Sequence, residues 1–158
     1  MKRSNLRKIA NKWQPARSPP AMVLRGVNAM EQAQPIHKPT SVLLVEDEVL
    51  ISDMMADILE EQGFQVHVAA NAAEALRHIE SNAVVDVLFT DIHLPGGMDG
   101  SALAERVREL RPDLPIVYAS GRWRPSLGPG LVSRSIFLPK PYNPWDAGAL
   151  MMRLVSTH

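Results

Sequence analysis

From Ser41 onward, short apolar runs alternate with stripes of apolar residues at helical spacing. Val42-Leu43-Leu44-Val45 is a continuous apolar run, the pattern of a strand buried on both faces. Glu46-Asp47-Glu48 ends it abruptly. Over residues 49–62, Val49, Ile51, Met54, Met55, Ile58 and Leu59 recur near helical spacing, and Gly63 predicts the stop. Val66-His67-Val68 predicts a second strand. Asn71 with Glu74 three residues on predicts a capped helix that runs through Ala75, Leu76 and Ile79. Residues 84–90 form a third apolar run, closed by Asp91. Leu94-Pro95-Gly96-Gly97 must be loop. Residues 101–110 read as a helix with Leu103, Val107 and Leu110 inward. Residues 115–120 and 135–138 read as the fourth and fifth strands. Between them, residues 121–134 hold three Gly and two Pro, so any helix there is short or irregular. Pro144 opens a last helix through Leu150, Met151 and Leu154.

Strand and helix thus alternate five times. That order predicts an α/β fold, a doubly wound five-stranded parallel sheet with helices on both faces and an atypical fourth helix. Right-handed crossovers leave few topologies. In such sheets the working site lies beyond the carboxyl ends of the strands.

Composition sharpens this picture. Hydrophobic residues make up 46% of the 158 and charged residues 22%, an ordinary globular balance. Cysteine is absent, which excludes disulfides, thiolate metal sites and a cysteine nucleophile. No apolar run approaches the roughly 18–20 residues that span a membrane, and the expected location is cytoplasmic. The formal net charge is zero, yet it hides a split. Lys2, Arg3, Arg7, Lys8, Lys12, Arg17, Arg25 and Lys38 face Glu31 alone, a net +7, and the remainder of the chain carries −7. The basic stretch also holds Pro15, Pro19, Pro20, Pro35 and Pro39 and no sustained apolar period. Residues 1–39 therefore read as a disordered, basic, Pro-rich tail, and residues 40–158 as one domain. An Arg-rich, acid-poor composition also suits a transit peptide; an unstructured extension, with Met22 or Met30 as alternative starts, is the simpler reading.

The predicted carboxyl ends carry the chemistry. Strand one ends at Glu46-Asp47, strand three at Asp91, strand four at Ser120 and strand five shortly before Lys140. Singly, an acidic pair is a helix-start feature and a lysine is a solvated charge. Gathered at the ends of four strands, they make one cleft of three carboxylates, a hydroxyl and an ammonium. Crowded carboxylates call for a cation, and hard oxygen donors suit Mg²⁺. A carboxylate can also act as nucleophile towards a phosphoryl group, whose charge the cation and the lysine neutralise.

The segments VLLVEDE (42–48), FTDIHLPGGMDG (89–100), PIVYASG (115–121) and FLPKP (137–141), in this order, resemble the receiver domain of two-component response regulators, of the chemotaxis-regulator type. The resemblance covers about residues 41–156. It implies a flavodoxin-like sheet of order 2-1-3-4-5. It makes Asp91 the phosphoacceptor. It makes Glu46, Asp47 and Asp91 the Mg²⁺ site, with the backbone carbonyl of His93 as a further ligand. Ser120 matches the family's switch hydroxyl, Lys140 its active-site lysine followed by Pro141 in an expected cis bond, and Phe137 the aromatic whose rotamer reports the switch. The loop after Asp91 is one residue longer than the commonest form, which Gly96 and Gly97 permit. The residues after Asp91, Ile92 and His93, stand where neighbours tune hydrolysis in this family.

The expected function is a phosphorelay signalling module. It takes a phosphoryl group from a sensor histidine kinase or phosphotransfer protein, and acts on a downstream protein or as a phosphate sink. Its own catalysis is limited to phosphoryl transfer and autodephosphorylation. With the last helix running almost to His158, a single-domain regulator is expected; monomer and homodimer both stay open. An aspartate-nucleophile phosphohydrolase is the first rival, but that class places its paired aspartates after the first strand. A nucleic-acid-associated protein using the basic tail is the second, weakened by Pro-rich spacing and few aromatics. His67 and His78 read as surface or edge positions, because nothing pairs them at ligand spacing. His93 reads as a backbone contributor. Met54-Met55 and Met151-Met152 read as core or helix packing. Trp123 or Trp145, if exposed, would suggest a contact anchor.

Overall fold

The computed structural model describes residues 38–121 and 131–157. The described elements are β1 (Ser41–Val45), α1 (Val49–Glu61), β2 (Gln65–Ala69), α2 (Ala72–Glu80), β3 (Val87–Asp91), α3 (Gly100–Leu110), β4 (Ile116–Ser120), β5 (Ser135–Pro139) and α4 (Pro144–Ser156). The strands form one all-parallel sheet of order β2-β1-β3-β4-β5. The chain winds one way from β1 to β2 and the other way from β3 to β5. The switch between β1 and β3 is where such sheets open a crevice.

Two cores follow from the period of two along each strand. Leu43, Val45, Leu88, Ile116 and Tyr118 face α2 and α3, packing on Ala72, Ala75, Ile79, Leu103, Ala104 and Val107. Val42, Leu44, Phe89, Val117 and Ala119 face α1 and α4, packing on Met55, Leu59, Ala147 and Met151. The central strands β1, β3 and β4 are buried along their whole length. That is why they read as unbroken apolar runs. The edge strands β2 and β5 are only partly covered.

Local signals in the sequence are carried out by the backbone. Gly63, at φ +90°, ends α1 in a Schellman motif: Phe64 N–H donates to the Leu59 carbonyl and Gly63 N–H to the Glu60 carbonyl. Asn71 Oδ1 accepts from Glu74 N–H at 2.9 Å, and Glu74 Oε2 accepts from Ala70 N–H. Asp99 caps α3 through Ala102 N–H and Asn143 caps α4 through Trp145 N–H, with Pro144 in the first turn. Gly96 and Gly97 both have positive φ, as the long loop requires.

Some expectations need correction. β3 begins at Val87, not at Val84. Asp86 exchanges hydrogen bonds with the start of β1, accepting from Ser41 N–H and donating its own N–H to the Ser41 carbonyl. Val84 is thereby left half exposed. Leu110 is not inward: it sits in the last turn of α3 and is 37% exposed. Each methionine pair divides. Met55 and Met151 are in the core, while Met54 and Met152 reach solvent. The expected irregular fourth helix falls largely on residues 122–130, outside the described residues, as do Trp123 and the tail up to residue 37. Trp145 is half exposed. His67 of β2 and His78 of α2 do pair in space: their rings stack with centroids 3.6 Å apart and planes 12° from parallel.

Two predictions follow from this packing. A Cβ at Gly100 would overlap the Asp91 carbonyl and crowd Ile92, both backbone. Gly100→Ala should therefore cost about 2 kcal/mol or more. At Gly148 the overlap is with the end of the Gln62 side chain, which can swing away. Gly148→Ala gains helix propensity and should change stability by less than about 1 kcal/mol. Urea denaturation of the two variants checks the contrast.

The histidine stack makes the second. Burial, and then the neighbouring His67, lower the pKa of His78 below 6.5. The unfolded chain then binds the proton more readily than the folded one. Stability should be full above pH 6.5 and fall as pH drops below it. His78→Gln should flatten that part of the pH–Tm curve.

Candidate functional site

Parallel strands bring their carboxyl ends to one edge. β1 ends at Val45, so Glu46 and Asp47 follow there. Asp91 is the last residue of β3 and pairs in register with Ala119, which places Ser120 one step beyond. Ser120 pairs with Pro139, so Lys140 follows at the same level. Its N–H donates to the Ser120 carbonyl at 2.9 Å, and the Lys140–Pro141 peptide is cis.

The side chains converge on one ammonium. Lys140 Nζ donates to Asp91 Oδ2 at 2.6 Å and to Glu46 Oε2 at 2.9 Å. Glu46 and Asp91 are both buried. Asp91 Oδ1 accepts from His93 N–H at 2.9 Å. The β3–α3 loop is clasped at its base, where Gly100 N–H donates to the Ile92 carbonyl at 2.8 Å. Asp47 is exposed and stands apart from the Lys140 pairing. It lines an open cavity of about 530 Å³ together with Ile92, His93, Leu94, Pro95 and Asp99.

The electrostatics of the cluster are unbalanced. Burial pushes the Glu46 carboxyl above its usual range despite the hydrogen bond from Lys140, and the nearby Asp91 adds to the rise. Burial also works against the Lys140 ammonium, but two hydrogen-bonded carboxylates, Asp91 and Glu46, outweigh it and hold its pKa above that of a free lysine. Both pKa values rise: the pairing favours the charged lysine, while burial, with Asp91 nearby, disfavours the charged form of Glu46. With Asp47, three carboxylates face one cation, a local charge of −2. Tyr142 packs edge-on to Phe89, and burial pushes its phenol up to about 12, so it stays protonated at neutral pH.

This donor set fits a hard divalent cation: carboxylate oxygens, an open side for water and a deficit of two charges. Among the described residues, no three His, Cys, Asp or Glu groups yet converge as a cage. Lys140 supplies the charge between Glu46 and Asp91, and Asp47 stands on the open side.

The residues singled out from the sequence therefore fall into two groups. Glu46, Asp91, Ser120, Lys140 and the His93 backbone lie together, with Asp47 at the rim. Phe137 lies further down β5, in register with Tyr118, packed against the core on the α2–α3 side. The sequence assigns His93 a backbone role and a place among the tuning neighbours of Asp91, but not the side-chain contact with Ser120. Nδ1 of His93 lies 3.2 Å from Ser120 Oγ and 3.9 Å from Asp91 Oδ1. A larger cavity, about 740 Å³, lies at the opposite ends of the strands beside Asp86, Arg111, Asp113 and Arg134. Its charges are already matched: Arg134 pairs with Asp113, and Arg111 donates to the Ile79 carbonyl. It offers no comparable deficit.

Fold and site are those of a doubly wound α/β domain with an acidic cleft at the carboxyl ends of its strands. A family model for the response regulator receiver domain matches residues 42–144, and the chain belongs to that family. It is 32% identical over 117 residues to the sensor kinase CckA of Brucella abortus, an alignment that covers 72% of this chain and 12% of that protein. Among solved structures it resembles a CheY-like receiver domain protein of Methanospirillum hungatei, with TM-score 0.67, 30% identity and coverage of 76% of this chain and 96% of that one. It also resembles a receiver protein of Sinorhizobium medicae, with TM-score 0.70, 29% identity and coverage of 75% and 96%. The chain spans 12% of that kinase and 51% of a transcriptional regulatory protein of Bacillus subtilis to which it is 29% identical. It is thus a receiver domain of a two-component system. Receiver domains generally bind Mg²⁺ and are generally not enzymes in the ordinary sense. No described helix is long and apolar enough to cross a membrane.

Removing the shared ammonium tests the electrostatic reading. Lys140→Ala leaves two buried carboxylates facing each other and should cost about 3 kcal/mol at pH 7 in metal-free buffer. Glu46 already has a raised pKa, so its protonation should relieve the variant first as pH falls. The gap to wild type should narrow between pH 7 and pH 5 in urea denaturation. A constant gap would show that carboxylate repulsion is not the cause.

Proposed function

We propose that this domain receives a phosphoryl group on Asp91 from a phosphohistidine of a sensor histidine kinase or phosphotransfer protein. The observation that carries the reading is the sharing of one ammonium by Glu46 and Asp91, beside the exposed Asp47. An Asp91 carboxylate oxygen attacks phosphorus, the P–N bond to the donor imidazole breaks, and the imidazole leaves with its electron pair and takes up a proton from solvent. Lys140 holds Asp91 in place and offsets the incoming negative charge. Asp47, Asp91 and the His93 carbonyl would hold Mg²⁺, with Glu46 helping directly or through water; the ion supplies charge neutralisation on the phosphoryl oxygens.

A phosphoryl group brings about −2 charge and three strong acceptors to Asp91. Ser120, buried at the end of β4, is the hydroxyl placed to answer it, and Phe137 on the neighbouring strand is the side chain placed to repack. Output then passes to a downstream protein, or the domain drains phosphate from its donor. A cytoplasmic location belongs to this reading. The basic, Pro-rich residues 1–39 are not needed for the reaction on this reading. A phosphohydrolase reading is weaker, because the nucleophile candidate ends the third strand rather than the first.

Acetyl phosphate with Mg²⁺ should add one phosphoryl group by intact mass, and Asp91→Asn should abolish the gain. A gain that survives Asp91→Asn would place the acceptor elsewhere. Asp47→Ala should weaken Mg²⁺ binding in calorimetric titration by about tenfold or more, as loss of one of few charged ligands implies. Unchanged affinity would remove Asp47 from the cation site.

A further inference from the structure

His93 serves the proposed chemistry with its backbone alone, yet its imidazole is turned toward the site. Nδ1 lies 3.2 Å from Ser120 Oγ and 3.9 Å from Asp91 Oδ1. Ser120 is buried, while the His93 side chain is 54% exposed. The ring therefore approaches the hydroxyl from the solvent side. Either tautomer closes the contact: a bare Nδ1 accepts the hydroxyl proton, and a protonated Nδ1 donates to Oγ. The ring's position is set by the clasped loop, since His93 N–H is held by Asp91 Oδ1 and the Ile92 carbonyl by Gly100 N–H.

We propose that His93 is a positioning residue that latches the Ser120 hydroxyl in the unphosphorylated domain. The latch rests on the reading of Asp91 as acceptor and Ser120 as switch. Ser120 Oγ has one proton. While that proton goes to Nδ1 it cannot go to a phosphoryl oxygen, and in the other tautomer Nδ1 still stands 3.2 Å from Oγ and 3.9 Å from Asp91 Oδ1, close to both groups that the phosphoryl oxygens would join. Phosphorylation must therefore displace the imidazole before Ser120 can engage. The His93–Ser120 contact opposes the switched state by its own free energy, so breaking it shifts the population toward that state.

Two measurements decide this. The first needs no phosphate. The Ser120 side-chain rotamer distribution, read from Hα–Hβ couplings by NMR, should shift in His93→Ala relative to the wild-type chain. In His93→Gln, whose amide can meet the hydroxyl, it should stay as in the wild-type chain. The second is the rate of phosphorylation by acetyl phosphate, followed by intact mass. His93→Ala should raise it about two- to tenfold, the range that one net hydrogen bond corresponds to. The same substitution in a Ser120→Ala background should have no effect, a dependence that a purely structural role of His93 would not produce. An unchanged Ser120 rotamer distribution in His93→Ala, an unchanged rate, or equal acceleration without the hydroxyl would overturn the latch. Failure of the wild-type chain to take phosphate would instead refute the Asp91 reading, and the rotamer measurement would still decide whether His93 holds Ser120.

Discussion

One ammonium shared by two buried carboxylates organises this domain. Lys140 comes from beyond β5, Glu46 from beyond β1 and Asp91 from the end of β3. Two of these charges could not be buried without the third. The sheet order makes the meeting possible, because β1 and β3 are neighbours and one further strand, β4, separates them from β5. The cis Lys140–Pro141 peptide, the Asn143 cap and the buried Ala147 and Met151 of α4 then fix the chain that follows.

The pairing is strong but incomplete, and its incompleteness carries the chemistry. A neutral cluster would be a structural salt bridge. A cluster two charges short repels an anionic phosphodonor as well as its own members. A divalent cation would therefore aid the encounter of donor and acceptor as well as the transfer itself. The rim position of Asp47, open to the cavity beside His93, is consistent with such a role.

Much of this was legible in the sequence, for physical reasons. Val42–Val45 and the apolar run before Asp91 are buried on both faces, and only that environment tolerates unbroken apolar runs. Asn71, Gly63 and Pro144 mark helix ends because their local chemistry acts within a few residues. Glu46, Asp91, Ser120 and Lys140 could be grouped because parallel strands send like ends to one edge. What the sequence hid depends on contacts between distant segments. The start of β3 is set by Asp86 bonding to Ser41, forty-five residues away. The His67–His78 stack joins an edge strand to a helix. The direction of the His93 ring depends on how a two-glycine loop folds back. Leu110 fits a helical period but lies in the last turn, where the core has ended.

The separation of the three charged partners along the chain has a consequence for folding. Lys140 lies 94 residues from Glu46 and 49 from Asp91. Contacts between such distant residues form only after the loops between them have been closed, and they slow folding accordingly. A chain that has paired β1, β2 and β3 but not yet added β4 and β5 holds its carboxylates without their ammonium. The ammonium arrives with the segment after β5, so the charged cluster exists only in a chain whose sheet includes that strand.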